Sequence, residues 1–255
     1  HQKLNICPSN MRAHRANLQA RNLLKKIKKT TPYCKYNVDG TKTGRLTTNP
    51  TGFPILTLKK EHRVILEPNN DWFVELDFNA AELRVLLALA GKNQPTMDIH
   101  KWNIKNVFAD KGTRADAKKR AFAWLYNPES EDHAMSKFYE RDTVLNKYWD
   151  GTSVNTVFNR KIEADNFHAL NYIIQSTCAD MVLEQACRIR SLLAGKRSTI
   201  AFIVHDSVVL DFADEDRQEL IELVNEFSST RLGKFMVNIS AGKNFGKLRE
   251  LRVHG

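Results

Sequence analysis

Residues 199–212 read Thr199-Ile-Ala-Phe-Ile-Val-His-Asp-Ser-Val-Val-Leu-Asp-Phe212 and decide the fold. Two apolar runs, residues 199–204 and 208–212, flank the polar triplet His205-Asp206-Ser207. Short runs rich in Val and Ile on either side of a brief polar interruption are typical of a β-hairpin. The two strands of a hairpin pair antiparallel, so this stretch predicts an antiparallel sheet.

The segments around this hairpin mix helices with strands. In the first half of the chain we predict a basic helix at 11–29, a loop at 39–54, a strand at 72–77 and a helix that begins after Asn79 and runs to about Ala90. Further on we predict a helix from the capping box Thr113-Arg-Ala-Asp116 to Asn127-Pro128, a long helix at 169–193, an amphipathic helix at 215–232 and a strand at 237–240. A hairpin among mixed helices and strands indicates an α+β fold.

Composition restricts the class of protein. The 255 residues include 39 Lys and Arg against 29 Asp and Glu, a formal net charge of +10, which favours a polyanionic partner. No apolar run is long enough to cross a bilayer, so we expect no membrane association. The four cysteines form no Cys-x-x-Cys pair, which predicts reduced thiols and a cytoplasmic location.

Two carboxylates follow or interrupt apolar strands. Asp77 ends the run Trp72-Phe-Val-Glu-Leu-Asp77, and Asp206 lies between the hairpin strands. Taken singly, each is explained as well by an ordinary turn. If both strands share a sheet, however, the carboxylates converge at one edge, where they suit two Mg²⁺ ions engaged in phosphoryl transfer.

Two helices add further polar side chains. Glu82 lies three residues after Asn79, a spacing that a capping box explains without any function. Arg114, Lys118, Phe122 and Tyr126 recur every four residues and therefore follow one slanting stripe of a helix. Such a stripe suits a nucleotide, with cations on the triphosphate and rings on the base, although both aromatic rings could equally face the core.

Seven segments of the chain resemble segments of the family A (Pol I-like) DNA polymerases and follow one another in the same order as in that family. Asp77-Phe-Asn-Ala-Ala-Glu-Leu-Arg84, the Arg114 to Tyr126 stripe and Val204-His-Asp-Ser207 resemble the family's motifs A, B and C. The other four are Thr43-Gly-Arg-Leu-Thr-Thr48, Asp98-Ile-His100, the helix from Asn171 through Gln175 to Asp180, and Gly242-Lys-Asn-Phe245.

The resemblance implies a right-hand polymerase palm and roles for individual residues. Two Mg²⁺ ions would be bound by Asp77, Asp206 and the Phe78 carbonyl, with Mn²⁺ as a substitute metal. Nucleotide-binding residues would be His100, Arg114, Lys118, Phe122, Tyr126 and Glu82, with Lys118 also protonating the pyrophosphate and with Tyr126 and Glu82 excluding a ribose 2′-hydroxyl. DNA-binding residues would be Arg45, Asn171, Gln175 and His205.

The resemblance also implies an organisation of the chain. A basic N-terminal segment (1–42) would precede the first part of the palm (43–98), shortened fingers (99–168) and the second part of the palm (169–255). We expect a reduced or absent thumb and no proofreading exonuclease in this chain; a missing N-terminal region or a second chain would supply them. The expected partners are primer-template DNA and dNTPs.

The chain departs from the family pattern at three positions. Asn127 follows Tyr126 where the family has Gly, and Phe167 replaces an Arg. Ser207 stands where the family's DNA polymerases usually carry Glu.

Two other functions stay open. The His-Asp-Ser form of motif C is shared with phage-type single-subunit RNA polymerases, although Glu82 argues against an open ribose pocket. An inactive nucleic-acid-binding subunit with the same fold is the third interpretation, and the retention of both Asp77 and Asp206 argues against it.

Overall fold

The computed structural model describes residues 2–251. Its helices are α1 (Leu18–Ile27), α2 (Ala81–Leu89), α3 (Ile99–Asn106), α4 (Arg114–Tyr126), α5 (His133–Tyr139), α6 (Arg141–Tyr148), α7 (Asn166–Leu192) and α8 (Leu220–Ser228). Its longer strands are β5 (Trp72–Phe78), β8 (Thr199–Val204), β9 (Ser207–Phe212) and β12 (Val237–Gly242). The short strands are β1 (Asn5–Ile6), β2 (Tyr36–Asn37), β3 (Thr47–Thr48), β4 (Leu66–Glu67), β6 (Ser153–Asn155), β7 (Lys161–Glu163), β10 (Ser229–Thr230), β11 (Gly233–Lys234) and β13 (Arg249–Glu250).

A five-stranded antiparallel sheet forms the centre, in the order β13-β12-β5-β9-β8. The predicted hairpin is β8 and β9, and β9 continues the sheet by pairing with β5. The α+β prediction is therefore confirmed.

Each face of the sheet packs against its own apolar layer. Val74, Leu76 and Phe78 of β5 pack with α2, α4, α7 and α8 in the larger core. Phe73 of β5 points to the opposite face and packs with apolar residues of the first 66 residues, among them Met11. Because side chains alternate along a strand, the side chains of Glu75 and Asp77 share the second face with Phe73.

Three predicted helices differ from the observed ones. The 11–29 helix is a 3₁₀ segment (Pro8–His14) followed by α1, because Asn17 caps α1 by accepting hydrogen bonds from the backbone N–H groups of Gln19 and Ala20. The 215–232 helix is a 3₁₀ segment (Asp214–Glu219) followed by α8, and the β10–β11 hairpin ends it.

The third difference is at the start of α2. Asn79 was expected to cap this helix, but the capping position is Ala80, in a left-handed conformation with φ 50° and without a side-chain cap. The Asn79 side chain is buried and holds α3 instead, because its Oδ1 accepts from the Ile99 N–H at 3.0 Å.

The predicted α4 is confirmed in detail. Thr113 and Asp116 form the capping box, and the helix ends at Tyr126 before Asn127 and Pro128. The long α7 is confirmed within three residues at each end.

Two further findings concern the length of the helices and the cysteines. Across residues 2–251, no helix is long and apolar enough to span a membrane. Cys7, Cys34, Cys178 and Cys187 are free thiols, two of them buried. The first and last predicted segments include residue 1 and residues 252–255, which lie outside the described residues.

Candidate active site

The two carboxylates meet at one edge of the sheet. Asp77 is next to last in β5 and lies opposite Ser207, the first residue of β9. Asp206 precedes Ser207 in the tight turn after β8, where His205 adopts φ 51°. The Phe78 N–H donates to the Asp206 carbonyl oxygen at 3.4 Å and extends this pairing into the turn.

The surroundings of these carboxylates disfavour their charged forms. Burial, together with the smaller effect of the nearby charges of Glu75 and Asp206, raises the pKa of Asp77 to about 6. Asn238 and Lys118 act in the opposite direction, with the Asn238 amide donating to Asp77 at 3.3 Å. Burial also raises the pKa of Asp206. Ionising both groups is therefore costly, and a bound cation would offset this cost.

The donor set suits an oxygen-seeking cation. Neither Asp77 nor Asp206 forms an ion pair with a Lys, Arg or His within residues 2–251. No group of three His, Cys, Asp or Glu side chains in this range is spaced to hold a metal ion. Two carboxylates without a third ligand fit Mg²⁺, which keeps several waters and takes one or two protein carboxylates plus phosphate oxygens.

Glu82 lies at the centre of a polar cluster at the start of α2. Arg45 donates to Glu82 Oε1 at 2.7 Å, and the Tyr126 hydroxyl donates to Glu82 Oε2. Burial raises the pKa of Glu82, while its bonds to Tyr126 and Arg45 oppose that rise. Glu82 therefore joins three separate segments, and the capping role that its spacing suggested is wrong.

Helix α4 carries the stripe of Arg114, Lys118, Phe122 and Tyr126 on the side that faces the site. Ala117, Ala121 and Trp124 are buried on the other side of the helix. Phe122 is partly buried and stacks on Tyr126 with ring centroids 5.9 Å apart, and the Lys118 Nζ lies 5.8 Å from the Phe122 centroid. Tyr126 is 41% exposed, so its ring is not part of the hydrophobic core.

Two further predicted residues lie at the junction of α3 and α4. Arg114 forms a salt bridge with Asp98 at 2.7 Å, which ties the two helices together. His100 is buried 6.1 Å from the Phe122 centroid, and its Nδ1 has no hydrogen-bond partner. Burial lowers the pKa of His100 to about 4, aided by Arg114 and Lys118, so this imidazole is neutral at pH 7.

The four predicted DNA-binding residues do not share one cavity. Arg45 and His205 line a cavity of about 230 Å³ that also contains Asp206. Asn171 lines a second cavity, of about 190 Å³, beside Tyr126 and the 58% exposed Phe167. Gln175 lies one helical turn after Asn171 on α7 and lines neither cavity.

The departures from the family pattern have distinct geometries. Ser207 is buried, and its hydroxyl contacts Glu75 Oε1 at 3.2 Å and the Val204 carbonyl at 3.0 Å. Asn127, which stands where the family has Gly, has an extended backbone with φ −111° and ψ 103°. An extended residue suffices here because Pro128 follows and disfavours helical angles before it.

Sequence reasoning missed several residues that shape the site. Gly44 has φ +72°, and a Cβ there would lie 2.5 Å from the Arg160 guanidinium. Arg160 is itself bound to Asp180 of α7 at 2.6 Å, so this ion pair supports the turn that carries Arg45. No sequence signal links the three. Glu75 and Asn238 were also missed; for Glu75, the alternation of β5 was the available signal.

The antiparallel sheet and its packed helices have a polymerase palm-like fold. A solved structure of similar fold is the POL domain of Pol1 from M. smegmatis in complex with DNA primer-template and dNTP. The two match with a TM-score of 0.72 and 17% sequence identity over 92% of this chain and 52% of that chain. This chain thus spans about half the length of that chain. No protein-family model matches the sequence, and a search of curated proteins finds no match.

Proposed function

We propose that this chain is a template-directed DNA polymerase that adds dNTPs to a primer 3′ end by two-metal-ion phosphoryl transfer. The observation that carries this proposal is the meeting of Asp77 and Asp206 at one sheet edge beside the polar stripe of α4. The M. smegmatis domain of similar fold, solved with DNA primer-template and dNTP, supports the same partners.

Asp77, Asp206 and the Phe78 carbonyl would hold two Mg²⁺ ions, with Mn²⁺ as an alternative because the site offers only oxygen ligands. When bound, the ions supply activation of the primer hydroxyl and stabilisation of the charge that develops on the pyrophosphate. Burial raises the pKa of both carboxylates, so nearby positive charge would favour their ionised forms.

His100, Arg114 and Lys118 bind the incoming triphosphate. His100 is neutral and has an unpartnered ring nitrogen, so it contributes through hydrogen bonding and not through charge. Lys118 is exposed and close enough to Asp77 for its charge to lower the pKa of that carboxyl. In this proposal Lys118 also donates a proton to the departing pyrophosphate.

Phe122 and Tyr126 form the surface on which the sugar and base of the nucleotide rest. Their rings are stacked at an interplanar angle of 11°, and aromatic faces bind bases of any sequence. Glu82 closes the pocket below, held by Tyr126 and Arg45, and excludes a ribose 2′-hydroxyl. This closed pocket favours DNA synthesis over the phage-type RNA polymerase alternative.

Arg45 and His205 bind the primer terminus in the cavity next to Asp206, while Gln175 and Asn171 contact the nascent pair from α7. A basic surface of the N-terminal segment is available to the DNA duplex upstream of the primer terminus. Residues 2–38 contain no Asp or Glu, and their nine exposed cations are Lys3, Arg12, Arg15, Arg21, Lys25, Lys26, Lys28, Lys29 and Lys35. This N-terminal basic surface suits a phosphate backbone.

The chain divides into a basic N-terminal segment (1–42), two parts of the palm (43–98 and 169–255) and the fingers (99–168). The pairing of β5 with β9 and β12 supports joining the two palm parts in one sheet. The proposal also includes a second chain, or an N-terminal region outside this sequence, that supplies a thumb or an exonuclease.

Primer extension on a defined DNA template with Mg²⁺ tests this function. The wild-type chain should extend the primer with dNTPs, and Asp206→Asn should abolish extension while primer-template affinity stays within about twofold. Asp110→Asn, a change of an exposed carboxylate outside the site, is the matched control and should extend normally.

Three other outcomes would contradict the proposal. Preference for rNTPs would favour the RNA polymerase alternative. DNA binding by the wild-type chain without any synthesis would favour an inactive binding subunit. Synthesis that survives Asp206→Asn would exclude the carboxylate pair as the catalytic centre.

A further inference from the structure

Glu75 is a charged residue in the middle of a central strand. It lies between Val209 of β9 and Ser240 of β12, and alternation along β5 places it on the same face as Asp77. It is only partly exposed, and it forms no ion pair with any Lys, Arg or His of residues 2–251. Its carboxylate therefore lies on the Asp77 face of the sheet without a cationic partner among residues 2–251.

Glu75 makes a direct contact with the residue that follows Asp206. Its Oε1 accepts a hydrogen bond from the Ser207 hydroxyl at 3.2 Å, and the same hydroxyl lies 3.0 Å from the Val204 carbonyl oxygen. The hydroxyl has one hydrogen and can serve only one of these acceptors at a time. Ser207 in turn lies opposite Asp77 in the strand register.

Glu75 lies close to the carboxylate pair. It precedes Asp77 by two residues on the same face of β5, and its partner Ser207 lies opposite Asp77 and directly follows Asp206. Three acidic groups therefore concentrate negative charge on this face of the sheet, an arrangement that attracts divalent cations.

We propose that Glu75 is a positioning residue of the metal site and acts through its charge and its bond to Ser207. This proposal rests on the proposed function, which places metal ions at Asp77 and Asp206. Glu75 is a positioning residue and not a direct ligand, because no three carboxylates of the described chain are spaced to hold one ion.

Direct measurement of Mn²⁺ binding tests this role without relying on activity. The full chain is bound to primer-template DNA with a dideoxy-terminated primer and a non-hydrolysable dNTP, and bound Mn²⁺ is counted by electron paramagnetic resonance. Glu75→Gln should weaken Mn²⁺ binding by about 10-fold or more, the usual effect of losing a group that supports metal ligands. Glu250→Gln, which removes an exposed carboxylate from the edge strand, should bind like wild type.

A charge exchange between the two strands separates this role from a general loss of structure. Glu75→Ser weakens Mn²⁺ binding alone, whereas Glu75→Ser combined with Ser207→Glu returns a carboxylate to the same place from β9. Restored Mn²⁺ affinity in the double variant supports the proposal. A double variant with wild-type melting temperature and no restored affinity overturns it, as does Glu75→Gln binding Mn²⁺ within twofold of wild type.

Failure of this inference is distinguishable from failure of the proposed function. Primer extension by Glu75→Gln with the wild-type Mg²⁺ dependence would remove the role of Glu75 and leave the polymerase proposal intact. Mn²⁺ binding that depends on Glu75, in a chain that never extends a primer, would support the role of Glu75 and contradict the polymerase proposal. A wild-type complex that holds no Mn²⁺ would overturn both.

Discussion

Replacing Glu82 with alanine should raise ribonucleotide incorporation relative to deoxyribonucleotide incorporation. The Glu82 carboxylate holds two charge-assisted hydrogen bonds, from Arg45 at 2.7 Å and from the Tyr126 hydroxyl. Under the proposed function, a 2′-hydroxyl entering the pocket would displace at least one of them, and each is worth about 1.5–3 kcal/mol. Because 1.36 kcal/mol corresponds to a tenfold rate ratio, we expect about 10- to 150-fold discrimination.

Single-nucleotide insertion measures the effect as the ratio of kcat/KM for dATP to kcat/KM for ATP. The ratio is the right quantity because removing the partner of Arg45 lowers both rates, and this common decrease cancels. Glu82→Ala should lower the ratio by about 10- to 150-fold. Tyr126→Phe keeps the ring and removes one of the two bonds, so it should cause a smaller decrease.

A ratio unchanged within twofold in Glu82→Ala would refute the reasoning. It would mean that the Glu82 cluster holds the segments together but does not limit the sugar. A decrease in Tyr126→Phe as large as that in Glu82→Ala would instead show that the Tyr126 hydroxyl alone carries the discrimination.

Three further predictions test other parts of the molecule. Changing Lys25, Lys28 and Lys29 to Gln should reduce the slope of log affinity for duplex DNA against log salt by about 0.9 for each phosphate that is no longer neutralised, whereas an unchanged slope would remove the N-terminal basic surface from the DNA path. Asp98→Asn should lower the free energy of unfolding at pH 7 by about 1–3 kcal/mol in urea titrations, since this carboxylate accepts bonds from Arg114 and Asn79. Bonds to Arg114 and Asn79 hold the pKa of Asp98 well below its usual range against the opposing effect of burial, so its stabilisation is present above the unfolded pKa of about 3.9. The difference between wild type and variant should therefore shrink as pH falls below 4, and a constant difference would contradict this. Gly44→Ala should cost about 1–3 kcal/mol because of the positive φ, and a melting temperature equal to that of wild type would disprove the strained turn.

Local patterns in the sequence predicted much of the fold. Apolar runs rich in Val and Ile on both sides of His205-Asp206-Ser207 predicted the β8–β9 hairpin, because a hairpin joins strands that are neighbours in the chain. The Thr113 capping box gave the start of α4 to the residue, since its two hydrogen bonds join positions three apart in the chain. Local interactions of this kind depend on neighbouring residues alone.

The same local reasoning was wrong at the start of α2. The spacing of Asn79 and Glu82 fits a capping box, yet both side chains bond to distant segments. Asn79 binds the start of α3, and Glu82 binds Arg45 and Tyr126, which are 37 and 44 residues away. Buried polar groups take the partners that packing brings near, and packing between distant segments leaves no pattern in a single sequence.

By itself, the sequence determined the α+β class, the main strands, the ends of α4 and the order of the polymerase-like segments. Only the tertiary structure decided which of these residues meet. It paired Asp77 with the Asp206 turn, separated Asn171 from the cavity of Arg45, and placed Glu75 against Ser207. The physical reason is range: hairpins and caps follow from interactions a few residues apart, whereas the site is built by strand register and helix packing across more than 100 residues.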